Sequence, residues 1–244
     1  MVASLGAGTA AALAGAAVLR MMGHGAAGAL LGAGGLALGA GAVWSAAAYR
    51  AFSYNGKRQL SREIVEGTAT YIDLRAGGIG LDVGCGSGAL TIACARRNPQ
   101  GAMVGIDRWG VEYASFSKAL CEANARAEGT TNVSFRQGDA VRLDFPDESF
   151  DAVTSNYVYH NIAGRDRQAL LRETLRVLKK GGRFAIHDIM SFRRYGDMEA
   201  FAESLRRAGY ARVELIDTTA GLFMCPREAR LLMLTGSTLL VGEK

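Results

Sequence analysis

The stretch LDVGCGSGAL, Leu81 to Leu90, limits what this chain can fold into more than any other. An apolar run ends in three alternating glycines, Gly84, Gly86 and Gly88, and a helical pattern starts at Ala89. Glycine takes left-handed backbone without a steric penalty, so such a loop can turn sharply and expose its amides to a ligand. A strand, a glycine turn and a helix start in this order open a doubly wound α/β sheet. The ligand stays open at this point, because Gly84, Gly86 and Ala89 also satisfy the GxGxxG/A dinucleotide pattern.

The remaining pattern agrees with that class. Strands are expected at GIGLDVG, at Ala102–Asp107, at Val133–Phe135, at Phe150–Asn156, at RFAIHDI, at ARVELID and at STLLVGE. Helices are expected at Ala89–Arg97, Val111–Ala127, Asp166–Lys180, Asp197–Ala208 and, shorter, at Pro226–Leu234. Gly181-Gly182 is read as the stop of the third of these. Strand and helix alternation implies a mostly parallel sheet with helices on both faces, and a ligand at the carboxyl ends of the strands.

Three carboxylates narrow the ligand. Asp82 stands two residues before the first glycine. It would repel a pyrophosphate and attract a ligand carrying an ammonium and a sulfonium. Asp107 ends the second strand, where it can accept both hydroxyls of a ribose; an NAD site shares this feature. Asp139, in Gly138-Asp139-Ala140 after the third strand, can accept from an adenine amino group. The segments LDVGCGSG, VGID, QGDA, FDAVTSNYVYHNI and LKKGGRFAIHD together resemble the class I S-adenosylmethionine-dependent methyltransferases over roughly residues 58–243. The resemblance implies a Rossmann-like seven-stranded sheet whose last strand is antiparallel. It implies S-adenosyl-L-methionine as cofactor, with Asp82, Gly84, Cys85, Gly86 and Gly88 as the methionine-end loop. It further implies Asp107 on the ribose, Arg108 and Trp109 beside the adenine, Asp139 and Ala140 at its amino group, and Asn156 with Tyr157 lining the donor and acceptor pocket.

Alignment of an acceptor with an already activated methyl group is mainly a proximity effect, and a base is needed only if the acceptor must lose a proton. His160 and Tyr157, just past the fourth strand, are the candidate catalytic residues. His187 reads as structural. The four cysteines form no CxxC or Cys/His cluster, so neither a metal site nor a disulfide framework is expected.

The first 49 residues differ in kind. They hold one formal charge, Arg20, and two apolar runs, Val2–Met22 and Ala26–Tyr49, each long enough to span a bilayer. Gly28, Gly32, Gly35 and Gly39 share one helical face, as do Gly8, Ala12 and Gly15. Small faces let helices approach closely in lipid, giving either a transmembrane helical hairpin or a homodimer. A flexible low-complexity tail and a cleaved signal are the alternatives, and the second lacks a basic start. Arg50, Lys57, Arg58 and Arg62 precede the first acid, Glu63, and after that the charges balance. The excess of positive charge is therefore a local collar and not a nucleic-acid-binding face. A collar past a span stays cytoplasmic, which places the remainder of the chain inside the cell.

The expected organisation is a membrane anchor at 1–49, a basic juxtamembrane linker and lid at 50–77, and a methyltransferase domain at 78–244. The expected function is methyl transfer to a small, lipophilic acceptor. A non-catalytic S-adenosylmethionine-binding or scaffold protein is the alternative, followed by an NAD-dependent oxidoreductase.

Overall fold

The computed structural model describes residues 2–110 and 115–244, with the side chains of residues 2–8 outside that description. The chain divides into two compact units, residues 1–62 and 63–244.

The first unit contains a helical hairpin. Helix α1 (Val2–Met21) and helix α2 (Gly25–Phe52) are joined by a turn at Met22–His24. The small face expected on α2 is the face that meets α1. A Cβ at Gly28 would lie 2.9 Å from the Ala16 carbonyl, and one at Gly35 would lie 3.2 Å from the Ala12 methyl. Gly39 approaches Thr9 in the same way. These glycines are thus used within one chain; of the matching face on α1, Gly8 lies outside the described side chains. Leu30, Leu36 and Val43 point away and are exposed. Helix α2 is long and apolar enough to cross a membrane, by length and composition.

The second unit is a seven-stranded sheet in the order β3-β2-β1-β4-β5-β7-β6. Its strands are β1 (Ile79–Val83), β2 (Ala102–Asp107), β3 (Val133–Gln137), β4 (Phe150–Asn156), β5 (Leu178–Ile189), β6 (Arg212–Asp217) and β7 (Ser237–Glu243). Strands β1 to β5 pair in parallel, and β7 runs antiparallel to both β5 and β6. The order reverses between β1 and β4, so the crevice expected to bind ligands opens at their carboxyl ends.

Helices α3 (Leu60–Ala69), α4 (Ala89–Arg97), α5 (Lys118–Ala127), α6 (Arg167–Arg176), α7 (Phe192–Tyr195), α8 (Met198–Arg207) and α9 (Pro226–Leu231) complete the chain. Three starts are fixed by side-chain caps. Ser117 accepts from the Leu120 amide, Asp166 from that of Gln168, and Asp197 from that of Ala200. On one face of the sheet, α6 and α8 bury Leu171, Leu175 and Phe201 against Val153 and Phe184. Truncating one such leucine to alanine costs about 2–5 kcal/mol.

Three expected helices are shorter than their sequence patterns, and α9 is one of them, ending at Leu231 and not Leu234. The helix expected at Val111–Ala127 begins at Lys118. Residues 111–114 lie outside the described residues, and 115–117 are not helical. The helix expected to run to Lys180 ends at Arg176, and β5 already starts at Leu178, which pairs with Phe150. Gly181 and Gly182 therefore sit inside a strand, at a register shift, and not at a helix stop. A Cβ at Gly182 would lie 2.9 Å from the Asp151 carbonyl, so close backbone approach explains that glycine.

Candidate active site

The glycine loop is held from below. The amides of Gly84 and Cys85 both donate to the Ile106 carbonyl, at 2.8 and 2.9 Å. Gly84, Gly86 and Gly88 all have left-handed backbone, with φ of 72°, 55° and 84°. At Gly84 a Cβ would also drive into the Val158 side chain, so this position brings the loop against the turn that follows β4. At Gly86 the nearest atoms to such a Cβ are those of the Phe116 ring, 3.7 Å away, an ordinary van der Waals distance, so its glycine is required by the backbone angle and not by crowding.

Asp107 closes the arrangement. One carboxylate oxygen accepts the Gly86 amide at 2.9 Å, and the other accepts the Trp109 amide at 2.8 Å. Each oxygen retains a lone pair, which is what two ribose hydroxyls need. The Trp109 indole N–H donates to the Gly86 carbonyl at 3.0 Å. The Gly138 amide donates to the Asp107 carbonyl, which ties the start of Gly138-Asp139-Ala140 to the end of β2. Asp139 is exposed, and one of its oxygens accepts the Val141 amide at 2.9 Å; Ala140 is buried. Arg108 is exposed, with its carbonyl accepting from Gln137. Cys85 turns its thiol inward toward Gly105 and Cys121, so it offers the loop its backbone alone.

Asp82 is fully buried beneath the loop. Its oxygens accept the Thr91 hydroxyl at 2.6 Å and the Thr154 hydroxyl at 3.0 Å. Burial pushes its carboxyl up to about 6, against the two hydroxyls that pull it down. It therefore acts on the loop through its field and through Thr91, at the start of α4. Neither threonine stood out in the sequence, although Thr91 lies in the first turn of α4, on the side that faces the strand end.

The second half of the site is a turn of 3₁₀ helix, Tyr159–Asn161, directly after β4. His160 Nδ1 lies 2.5 Å from Asp188 Oδ1. Asp188, at the end of β5, is fully buried and also accepts the amides of Tyr159, His160 and Ile189. Burial alone would raise its carboxyl, but the His160 ring and these donors outweigh burial and hold it below the usual range. An ionised Asp188 fixes the proton of His160 on Nδ1, which leaves Nε2 as a proton acceptor. Sequence reasoning places Asp188 among the candidate residues at the strand ends but does not pair it with His160. The signal was available in spacing, since a histidine after β4 and an aspartate ending the neighbouring strand meet when the two strands pair.

Asn156 and Tyr157 are tied into a different group. The Asn156 side chain meets His187 Nδ1 at 2.8 Å, and His187 Nε2 meets the Thr218 hydroxyl at 2.9 Å. The Tyr157 hydroxyl meets Ser237 Oγ at 2.8 Å, and that serine donates to the Leu234 carbonyl. The proton of Tyr157 is thus directed at Ser237. Burial pushes the phenol well above its ordinary value. Burial lowers His187 to about 4, so it is neutral at pH 7. Tyr157 also has left-handed backbone, φ 55°, the kind of strain that collects at functional sites.

Among the described residues no group of three or more His, Cys, Asp and Glu side chains is gathered in the way a metal ion requires. A cavity of about 340 Å³ lies further along the rim, between Met190, Met198 and Leu215.

Known proteins agree with this geometry. A family model described as a methyltransferase domain matches residues 81–186. The 27-O-demethylrifamycin SV methyltransferase of Amycolatopsis mediterranei is 31% identical over 159 residues, 65% of this chain and 56% of that protein. The demethylmenaquinone methyltransferase of Lactobacillus johnsonii is 34% identical over 116 residues, 47% of this chain and 45% of that one. The chain thus spans about half the length of these relatives. Among solved structures, the [4+2]-cyclase SpnF shares the fold with a TM-score of 0.58 at 23% identity, covering 77% of this chain and 82% of its own. With the glycine loop and Asp107 in place, residues 81–186 form a methyltransferase domain of the class I S-adenosylmethionine-dependent kind.

Proposed function

We propose that this protein transfers a methyl group from S-adenosylmethionine to a small, lipophilic acceptor, with His160 as the base and Asp188 as the residue that orients it. The observation that carries the reading is the 2.5 Å contact between His160 and a buried, ionised Asp188, on a turn packed against Gly84 of the glycine loop. The residues fit the cofactor. The left-handed glycines form a tight loop at the end of β1, Asp107 has a free lone pair on each oxygen, and the buried Asp82 sets negative charge beneath the loop. The cofactor, when bound, supplies a methyl group on a sulfonium, so no further activation of the donor is required of the protein. Asp107 and Asp139 would hold it at the ribose and the adenine, with Trp109 beside the base.

Acceptor chemistry falls to His160. Its Nε2 takes the proton from an acceptor hydroxyl as the oxygen, or a ring carbon conjugated to it, bonds to the methyl carbon. The bound cofactor would supply that methyl group, and its sulfur would keep the electron pair of the bond given up. Asp188 stabilises the imidazolium that results. A quinol or phenol matches this requirement, and the demethylmenaquinone methyltransferase is named for a quinone, whose reduced form is a quinol. Residues 1–49 serve as the membrane anchor, with residues 50–244 on the cytoplasmic side. Support comes from the apolar outer face of α2, the basic collar after it, and Trp44 and Tyr49 near its end.

The test is methyl transfer from labelled S-adenosylmethionine into a quinol-bearing lipid extract. His160→Ala should lower kcat by about 10²–10⁴ while S-adenosylmethionine binding, read by calorimetry, stays within about twofold. An unchanged kcat would remove His160 from the chemistry. No transfer from the wild type, with the cofactor bound, would favour a non-catalytic binding protein or another reaction on this fold.

A further inference from the structure

We infer that Tyr157 is the specificity residue for the acceptor: its ring, not its hydroxyl, meets the acceptor, and it selects a hydroxyl carried on an aromatic ring over one carried on a saturated skeleton. The inference deepens the proposed function and rests on its placing of the acceptor beside His160.

The hydroxyl of Tyr157 is committed elsewhere. It meets Ser237 Oγ at 2.8 Å, and Ser237 gives its own proton to the Leu234 carbonyl at 2.7 Å. A serine hydroxyl has one proton, so Tyr157 is the donor of that pair. Its phenolic proton is held by Ser237, on β7, and is not offered to an acceptor beside His160. What remains for the acceptor is the ring.

That ring belongs to a row of four. His187 lies 4.7 Å from it at a tilt of 60°, and His160 lies 6.0 Å away at 88°. Phe223 backs His187 edge-on at 5.4 Å. Phe223 is itself seated on Gly67 of α3, where a Cβ would collide with the phenyl edge. Phe223 and His187 are buried, whereas Tyr157 and His160 keep part of their surface. The row is therefore accessible at the two rings nearest the proposed chemistry. A further ring laid there extends the row at the spacing aromatic pairs prefer.

The backbone holds the ring in place at a cost. Tyr157 has φ 55°, which a bulky residue rarely takes and glycine takes freely. It is anchored at both ends nevertheless, by its amide on the His187 carbonyl at 2.8 Å and by its hydroxyl on Ser237. Strain kept in this way sets where a side chain stands.

Proton chemistry favours the same class. An imidazole titrates near 6.5 and a phenol near 10, whereas water loses its proton near 16. An imidazole base thus works across a far smaller gap on an aromatic hydroxyl than on a water-like one. Ring recognition and proton removal select one kind of acceptor.

The test compares 1-naphthol with decahydro-1-naphthol, its saturated counterpart. Full-length protein in detergent micelles is loaded with S-adenosylhomocysteine, which has no methyl group to give, so binding is read without turnover. Each titration is corrected for partition into empty micelles. The wild type should bind 1-naphthol about two- to tenfold more tightly. Tyr157→Leu should bring that ratio to about one, and Tyr157→Phe should keep it. A tyrosine with only a structural role would weaken both ligands together and leave the ratio unmoved.

Equal binding of the two ligands by the wild type overturns the inference, and this arm stands even where Tyr157→Leu does not fold. So does a ratio that survives Tyr157→Leu. A ratio lost in Tyr157→Phe assigns the preference to the hydroxyl, and one lost in His160→Ala but kept in Tyr157→Leu assigns it to the hydrogen bond with His160; both overturn the role of the ring. Aromatic preference without methyl transfer from S-adenosylmethionine refutes the methyl-transfer reading alone, and transfer without that preference refutes this inference alone.

Discussion

Asp82 and His187 titrate in opposite senses, and that opposition can be measured. Burial raises Asp82 from 3.8 to about 6, so the folded state holds a proton that the unfolded chain has released between those values. Stability from this group falls as pH rises through that window, by on the order of 3 kcal/mol. Burial lowers His187 from 6.5 to about 4, so the unfolded chain binds the proton first. Stability from that group is complete above pH 6.5 and is lost as pH falls toward 4. The two slopes largely cancel in the wild type. Asp82→Asn should raise the melting temperature at pH 8 and expose a steep acid loss between pH 6.5 and 4, read by thermal denaturation across pH. A lower melting temperature at pH 8 would show that ionised Asp82 is stabilising. Asp107→Ala should weaken S-adenosylmethionine binding by about 10- to 100-fold in calorimetry, since it removes both the ribose acceptor and the clamp on Gly86. Binding within twofold of wild type would place the cofactor elsewhere.

At the scale of elements, two glycines with nearly the same backbone separate strain from contact. Gly84 has φ 72° and faces Val158; Gly181 has φ 71° with nothing within 4 Å of a Cβ. Gly181→Ala should cost about 1 kcal/mol, the left-handed backbone penalty, whereas Gly84→Ala should cost about 2–4 kcal/mol and abolish cofactor binding. Denaturant midpoints of the two variants test this. The seven strands were legible because each is a short apolar run bounded by turn residues, and strands β2, β4 and β7 have the limits their residues imply. The start of β5 was not legible. Leu178 continues the helical spacing of Leu170, Leu171 and Leu175, yet it pairs with Phe150, and only tertiary pairing distinguishes the two. The glycine loop and its carboxylates could be read from local pattern. The contact between His160 and Asp188 needed one step more, the pairing of β4 with β5, because 28 residues of sequence separate the two side chains.

For the whole molecule, deleting residues 1–49 should release the protein from the membrane fraction while leaving S-adenosylmethionine binding intact. Methylation of a lipid acceptor should fall in vesicles and be partly restored in detergent. Unchanged activity in both would detach the leader from the chemistry. The indole of Trp109, bonded to the Gly86 carbonyl, has a consequence of another kind. The protein has two tryptophans, and the other, Trp44, lies in α2. Its ultraviolet emission is therefore the sum of one signal from the hairpin and one from the cofactor loop. With Trp44 changed to Phe, the remaining emission becomes a native optical readout of loop occupancy, usable in intact membranes without an added dye.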